Sequence, residues 1–407
     1  MQPLHLYVHW PWCQQKCPYC DFNSHATNTT EGITQDKRRV YLQRLKDEVA
    51  WWLPQLVPHR PIASVFFGGG TPSLMWPREI EETLNTLRLL GSWQETTEVT
   101  LECNPASVIE AQDTNFFQTI KACGVNRVSI GVQGLEQDWL SFLGRKHSVD
   151  EALQTLDHAL NAGLRTNADV IYGLPNQSLS GWNKQLQKLS AMGLHHISAY
   201  QLTIEPNTAF WGQIRRGEWQ PVDSDTEADF FESTRLILLQ NGYENYEISN
   251  FAKPGEACRH NLGVWRGEDY LGVGAGAHGS IHLNNGEHIR YAARKHPEHY
   301  KAAIPKIHQA KHLAQWFAPQ PIQAAQDRLF ASLRLQEGVD MARLYKTYGN
   351  EVLEAALNKD ALDLFVKQGW LSWKNEGHTE RLALTNTGWP LLSGLLRDIL
   401  PSYTPKT

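Results

Sequence analysis

Short apolar, β-branched runs recur along the first half of the chain, and each is followed by a longer stretch in which apolar positions return every three or four residues. The runs are Leu4 to His9, Ile62 to Phe67, Val99 to Glu102, Arg127 to Val132, Thr166 to Tyr172 and His196 to Thr203. A strand that returns parallel to its predecessor needs a crossover long enough for a helix, so this alternation predicts a parallel sheet. Six such units favour a barrel or partial barrel with its site at the carboxyl ends of the strands. Helix boundaries agree with that reading: Thr34 and Asp36 precede VYLQRLKDEVAWWL, and Gly124 follows the segment ending IKAC.

From 284 to 320 the chain is rich in His, Lys and Pro with weak periodicity, which reads as a connecting segment. Beyond Pro321 come RLFASLRLQEGVDMARLYKTYG and LEAALNKDALDLFVKQG with helical spacing, a hairpin from GWLSW to RLALT, and a last helix. That order is winged-helix-like. The expected fold class is therefore α/β: a partial (β/α)6 barrel over 1–283, and a winged-helix-like α+β domain over 321–407.

Composition narrows the function. The 407 residues suit two domains, and 41% hydrophobic content with 15 Trp supplies a buried core. A formal net charge of −5 gives no positive field for nucleic acid or anionic lipid. Between Pro321 and Leu400 nine Lys and Arg face ten Asp and Glu, so the winged-helix-like domain lacks a DNA-binding footprint. No nucleic-acid partner is expected. The N-terminus lacks a signal-peptide pattern and no apolar run reaches the ~18 residues of a membrane span, so a cytoplasmic protein with no transmembrane segment is expected.

Chemistry concentrates in WPWCQQKCPYCDF, where Cys13, Cys17 and Cys20 follow the first strand as CxxxCxxC. Clustered thiols in a reducing compartment bind metal or react more often than they pair. Three thiolates hold a 4Fe-4S cluster with one iron open to an outside ligand. The alternative is a closed Cys3His zinc site that recruits His25. Cys103, Cys123 and Cys258 are scattered and read as small buried hydrophobes.

Further polar groups stand at successive strand ends. FFGGGTPSL offers Gly68, Gly69, Gly70 and Thr71, whose backbone a ligand can approach closely. The third strand ends in LECNP, where Glu102 is either an exposed strand-end acid or a carboxylate placed to accept from ribose hydroxyls; SIGVQ ends in Gln133 with Arg145 following, and NADVIYGLP carries Asp169. Strand ends that converge on one mouth form a ligand site.

With HWPWCQQKCPYC, GGGTPS, ECNP, SIGVQ and DVIYGLP in hand, the chain resembles the oxygen-independent coproporphyrinogen III oxidase family of radical-SAM proteins. The resemblance implies a radical-SAM barrel, a 4Fe-4S cluster, and S-adenosylmethionine as the ligand of the open iron. The reduced cluster of such proteins passes an electron to the sulfonium, giving a 5'-deoxyadenosyl radical. By motif, Tyr7, Gly69, Gly70, Thr71, Glu102, Gln133, Arg145 and Asp169 are implied to contact that cofactor, with Thr203 of LTIEP matching more loosely.

Within the family the chain is more similar to the heme-chaperone branch than to the true oxidases. Phe22 stands where the oxidases carry a fourth Cys, and the first cysteine follows only twelve residues. The segment YEISNFAKPGEACRHNLGVW resembles the chaperone hallmark HNxxYW, with Val264 in place of its Tyr. This implies heme as cargo, a heme-acceptor protein as partner, and His260 as candidate iron ligand beside an apolar wall at Trp265. Burial of His260 in a hydrogen-bonded loop is the competing reading. His296, His299, His308 and His312 read as a solvated basic stretch. The alternative function is a radical-SAM oxidoreductase acting on a tetrapyrrole, namely anaerobic coproporphyrinogen III dehydrogenase.

Overall fold

The computed structural model describes residues 2–27, 33–110, 115–310, 312–376 and 379–400. All six expected runs are strands: β1 (Leu4–Trp10), β2 (Pro61–Gly69), β3 (Ser92–Cys103), β4 (Arg127–Gln133), β5 (Arg165–Tyr172) and β6 (His196–Gln201). They lie side by side in chain order, every neighbouring pair parallel. A seventh parallel strand, β7 (Asp269–Val273), pairs with the free side of β1. Its DYLGVGAGAHG context hid it, because glycine weakens a strand signal. Gly272 is needed there: a Cβ would stand 2.1 Å from the His278 carbonyl oxygen.

The segment 284–320, expected as a connection, belongs to the main sheet. His288–Ala293 and Leu313–Phe317 are strands that extend its edge antiparallel, beyond His278–His282. The Tyr291 hydroxyl donates to the Gly272 carbonyl at 2.8 Å, which ties this edge to β7. His312 is also not solvated: it is 0% exposed, its ring 4.8 Å from that of Trp51, and Glu48 stands 3.5 Å away. Burial holds its imidazole down to about 4. It stands in a stretch with Lys306, His308 and Lys311, so a local reading missed a packed ring.

Strand alternation sorts the side chains of the barrel. Val65, Val99, Leu101, Val128, Ile130, Ala168 and Ile197 join the helix-covered core. Their alternates Thr100, Arg127, Ser129, Asn167 and Ser198 face the interior and give it polar groups among apolar ones such as Phe66 and Ile171. Helix α1 (Gln35–Trp52) is capped by Thr34, whose side chain accepts from Lys37 N–H, and it buries Tyr41, Leu42, Leu45, Val49 and Trp52.

Beyond the barrel, α2 (Arg259–Trp265) packs on α3 (Pro321–Ser332), where the Ser332 hydroxyl donates to the Trp265 carbonyl at 3.1 Å. The C-terminal unit has its own core of Leu329, Leu344, Leu353, Phe365, Leu382 and Trp389. Its three-stranded sheet carries the expected hairpin, Leu371–Glu376 against Thr379–Leu384, with Val339–Asp340 at one edge. Among the described residues, no helix is long and apolar enough to cross a membrane.

Candidate cluster and cofactor site

The thiols sit on a loop stitched to the barrel mouth. Trp12–Cys13 pairs with His25–Ala26, and Cys20 N–H closes a turn onto the Cys17 carbonyl at 3.1 Å. Cys13, Cys17 and Cys20 are all free. Burial pushes the Cys13 and Cys20 thiols up, and the neighbouring sulfurs push the same way, so negative charge is poorly tolerated here without a compensating cation. One is nearby: Arg145 Nη1 stands 3.6 Å from Cys17 Sγ, with Nη2 on Asn104 Oδ1 at 3.0 Å and the Gly131 carbonyl at 2.9 Å.

This donor set fits an iron-sulfur cluster. Soft thiolates are its usual ligands, and each cysteine binds a different iron, so three sulfurs need not meet at one point. Among the described residues no three His, Cys, Asp or Glu side chains converge on a single ion. His25, the extra ligand a zinc site would need, instead has its ring 5.3 Å from that of His296.

The glycine loop is fastened to the cluster loop by backbone. Gly70 N–H donates to the Trp10 carbonyl at 2.7 Å and Thr71 N–H to the Trp12 carbonyl at 2.8 Å. Gly69 has φ +113, and a Cβ there would stand 2.6 Å from His9 Cε1. Its N–H donates to Glu102 Oε2 at 3.2 Å, which joins the ends of β2 and β3.

Two carboxylates share the mouth. Burial pushes Glu102 up to about 8, and the nearby Asp169 charge adds to that rise. Burial also raises Asp169, against hydrogen bonds that hold it down: Ser129 Oγ donates to Oδ2 at 2.7 Å and Asn167 Nδ2 to Oδ1 at 2.8 Å. A cationic ligand with hydroxyl donors relieves both costs. Gln133 ends β4 at φ 64, a bend out of the strand that turns the chain at the rim.

One cavity of about 870 Å³ gathers Cys13, Cys17, Cys20, Gly69, Gly70, Thr71, Glu102, Gln133, Arg145, Asp169 and Thr203. Two expected residues are not on its wall. Tyr7 hydrogen-bonds His9 Nδ1 at 3.2 Å and stacks on Phe66, and Phe66 is the ring that meets the cavity. His260 is buried, stacked on the same Phe66 at 5.0 Å, with Nδ1 3.0 Å from Ser64 Oγ. Sequence reading missed Arg127, Asn167, His196, Ser198 and Arg334, all on the wall. The first four are polar alternates within strands, a period-two signal that local motifs do not use.

A cluster loop after the first strand, a glycine loop after the second, and acids at the third and fifth, all around one barrel mouth, define a radical-SAM protein. Residues 7–188 match the Radical SAM superfamily and 320–391 the HemN C-terminal domain. The chain is 40% identical to Heme chaperone HemW of Haemophilus influenzae over 308 residues, 74% of this chain and 76% of that one. It is 31% identical to Heme chaperone HemW of Mycobacterium tuberculosis over 400 residues, 98% and 95% of the two chains. The chain belongs to the HemW family. Coproporphyrinogen III oxidase (HemN) from Escherichia coli shares the fold, with a TM-score of 0.78, 22% identity, and 97% and 89% of the two chains covered.

Proposed function

We propose that the chain is a heme chaperone that binds heme and transfers it to an acceptor protein, with a 4Fe-4S cluster and S-adenosylmethionine at the barrel mouth. The observation that carries this is kinship: relatives named heme chaperones align with 74% and 98% of the chain. Phe22, at the cavity rim where the oxidases carry another cysteine, supports the same reading.

Cys13, Cys17 and Cys20 would hold the cluster, which when reduced supplies an electron to bound cofactor. Gly69, Gly70 and Thr71 would receive the amino acid end of S-adenosylmethionine against exposed backbone. Glu102 would accept from its ribose hydroxyls. Asp169 and Gln133 would complete the polar rim, Arg145 would balance thiolate charge, and Thr203 would close the outer edge. The reading places the chain in the cytoplasm, where thiols stay reduced.

The test is an anaerobic heme titration of the reconstituted protein, followed by absorbance, beside a coproporphyrinogen III turnover assay on the same sample. Saturable one-to-one binding without turnover is expected. Turnover without stable heme binding would make the chain an oxidase and sink the proposal.

A further inference from the structure

The cavity extends past the cofactor end to a wall that none of the family motifs covers in full. There Arg334, in the turn after α3, lays its guanidinium over Trp265 of α2 with Cζ 4.6 Å from the ring centroid. Both residues line the cavity, as do Phe66 and Asn261. The pair is held from both sides: the Arg334 carbonyl accepts from Ile248 N–H at 3.1 Å, and Ser332 fastens the Trp265 carbonyl. These bonds fix the two backbones, and the stack on Trp265 orients the guanidinium.

The guanidinium is only partly satisfied by protein. Arg334 Nε is buried and finds no hydrogen-bond partner among the described residues. The charge of nearby Glu247 attracts it, but Glu247 Oε1 already accepts from Ser249 N–H at 3.0 Å and from the Asn250 side chain. Arg127, on the same wall, repeats the pattern. Its Nη1 makes no hydrogen bond among the described residues, although it is ion-paired at 3.6 Å with Glu98, a carboxylate that also receives Arg165 at 3.1 Å. A buried N–H of a cation left without an acceptor is costly unless a ligand anion completes it. An arginine stacked on an aromatic ring and aimed into a cavity suits a carboxylate on a flat apolar ligand.

We infer that Arg334, on its Trp265 platform, anchors a carboxylate of a planar macrocycle bound in this cavity, so that the C-terminal unit supplies part of the ligand site. The inference rests on the heme reading and deepens it: heme is a flat apolar ring with two carboxylates on one edge. Arg334 takes one of them, and the rings of Trp265 and Phe66 border the macrocycle.

The experiment compares iron protoporphyrin IX with its dimethyl ester, titrated anaerobically into the full-length reconstituted chain and into R334M and R334K. The parent is expected to bind the diacid about tenfold or more tighter than the diester, the worth of one charge-assisted hydrogen bond. R334M should lose that preference and R334K keep part of it, with cluster absorbance intact in both. A parent that binds acid and ester equally overturns the inference without any variant. So does an R334M that holds the diacid as tightly as the parent does. A parent that binds neither form removes the heme reading itself, and this inference with it.

Discussion

Arg145 reaches the Cys17 sulfur with one terminal nitrogen and, with the other, the Asn104 side chain and the Gly131 carbonyl, so a single guanidinium links the cluster loop to β4. A positive charge beside the cluster favours its reduced form, the more negative of the two. Arg145→Met should therefore assemble a cluster whose midpoint potential is more negative than the parent's, and bind S-adenosylmethionine about tenfold or more weakly. Electron paramagnetic resonance during a redox titration reads the potential. An unchanged midpoint would remove Arg145 from the electrostatics of the cluster.

Glu102 gives a pH dependence with a defined sign. Its folded value lies near 8 because burial and Asp169 oppose ionisation. In the empty chain this group binds its proton more tightly folded than unfolded. Its contribution to stability therefore falls as pH rises from the ordinary carboxylate range to about 8, and is flat above that. If ribose hydroxyls require the carboxylate, S-adenosylmethionine binding releases a proton below that pH and tightens by up to about tenfold per unit. Calorimetry in two buffers of different ionisation enthalpy counts the proton. Glu102→Gln should bind weakly with a flat profile, and a sloping profile in that variant would place the titration elsewhere.

Gly69→Ala tests the glycine loop. A side chain at φ +113 is strained, and its Cβ meets His9 at 2.6 Å. The expected cost is about 2–4 kcal/mol, seen as a lower thermal midpoint. Loss of S-adenosylmethionine binding should accompany it, because the Gly69 N–H to Glu102 bond shifts with the loop.

His260→Ala separates packing from ligation. Burial holds this imidazole down to about 3, so it is neutral, and its Nδ1 is engaged with Ser64. Removing it should cost about 2–3 kcal/mol of stability through the lost stack on Phe66 and the cavity left behind, while the Ser64 hydroxyl keeps His5 Nδ1 at 2.7 Å. The heme absorption spectrum should be unchanged, since His260 is off the cavity wall. A shifted Soret band in a folded variant would return this imidazole to the iron.

The parts legible in sequence were those written in contiguous residues. The cysteine loop, the glycine loop and the acids at Glu102 and Asp169 are local patterns, and the structure brings them to one cavity. β7 was not legible, because its glycines serve close backbone packing and not strand propensity. The strand at 313–317 lies at the sheet's edge and buries little of its surface, so its pattern is weak, and 288–293 is a short strand set among polar residues. Arg334 was beyond local reading altogether: its meaning comes from standing over Trp265, which the fold alone supplies.

The pairing of β1 with β7 sets an order on biosynthesis. β1 precedes the other described strands in the chain, yet one of its two neighbours begins at Asp269, and Asn23 beside the thiols donates to the carbonyls of Ala275 and Lys295. While the ribosome is still making the middle of the chain, the cysteine loop hangs on a half-paired strand. Iron and sulfide delivered then would meet thiols without their frame. The frame around the thiols is thus complete only once the chain has been made past Lys295.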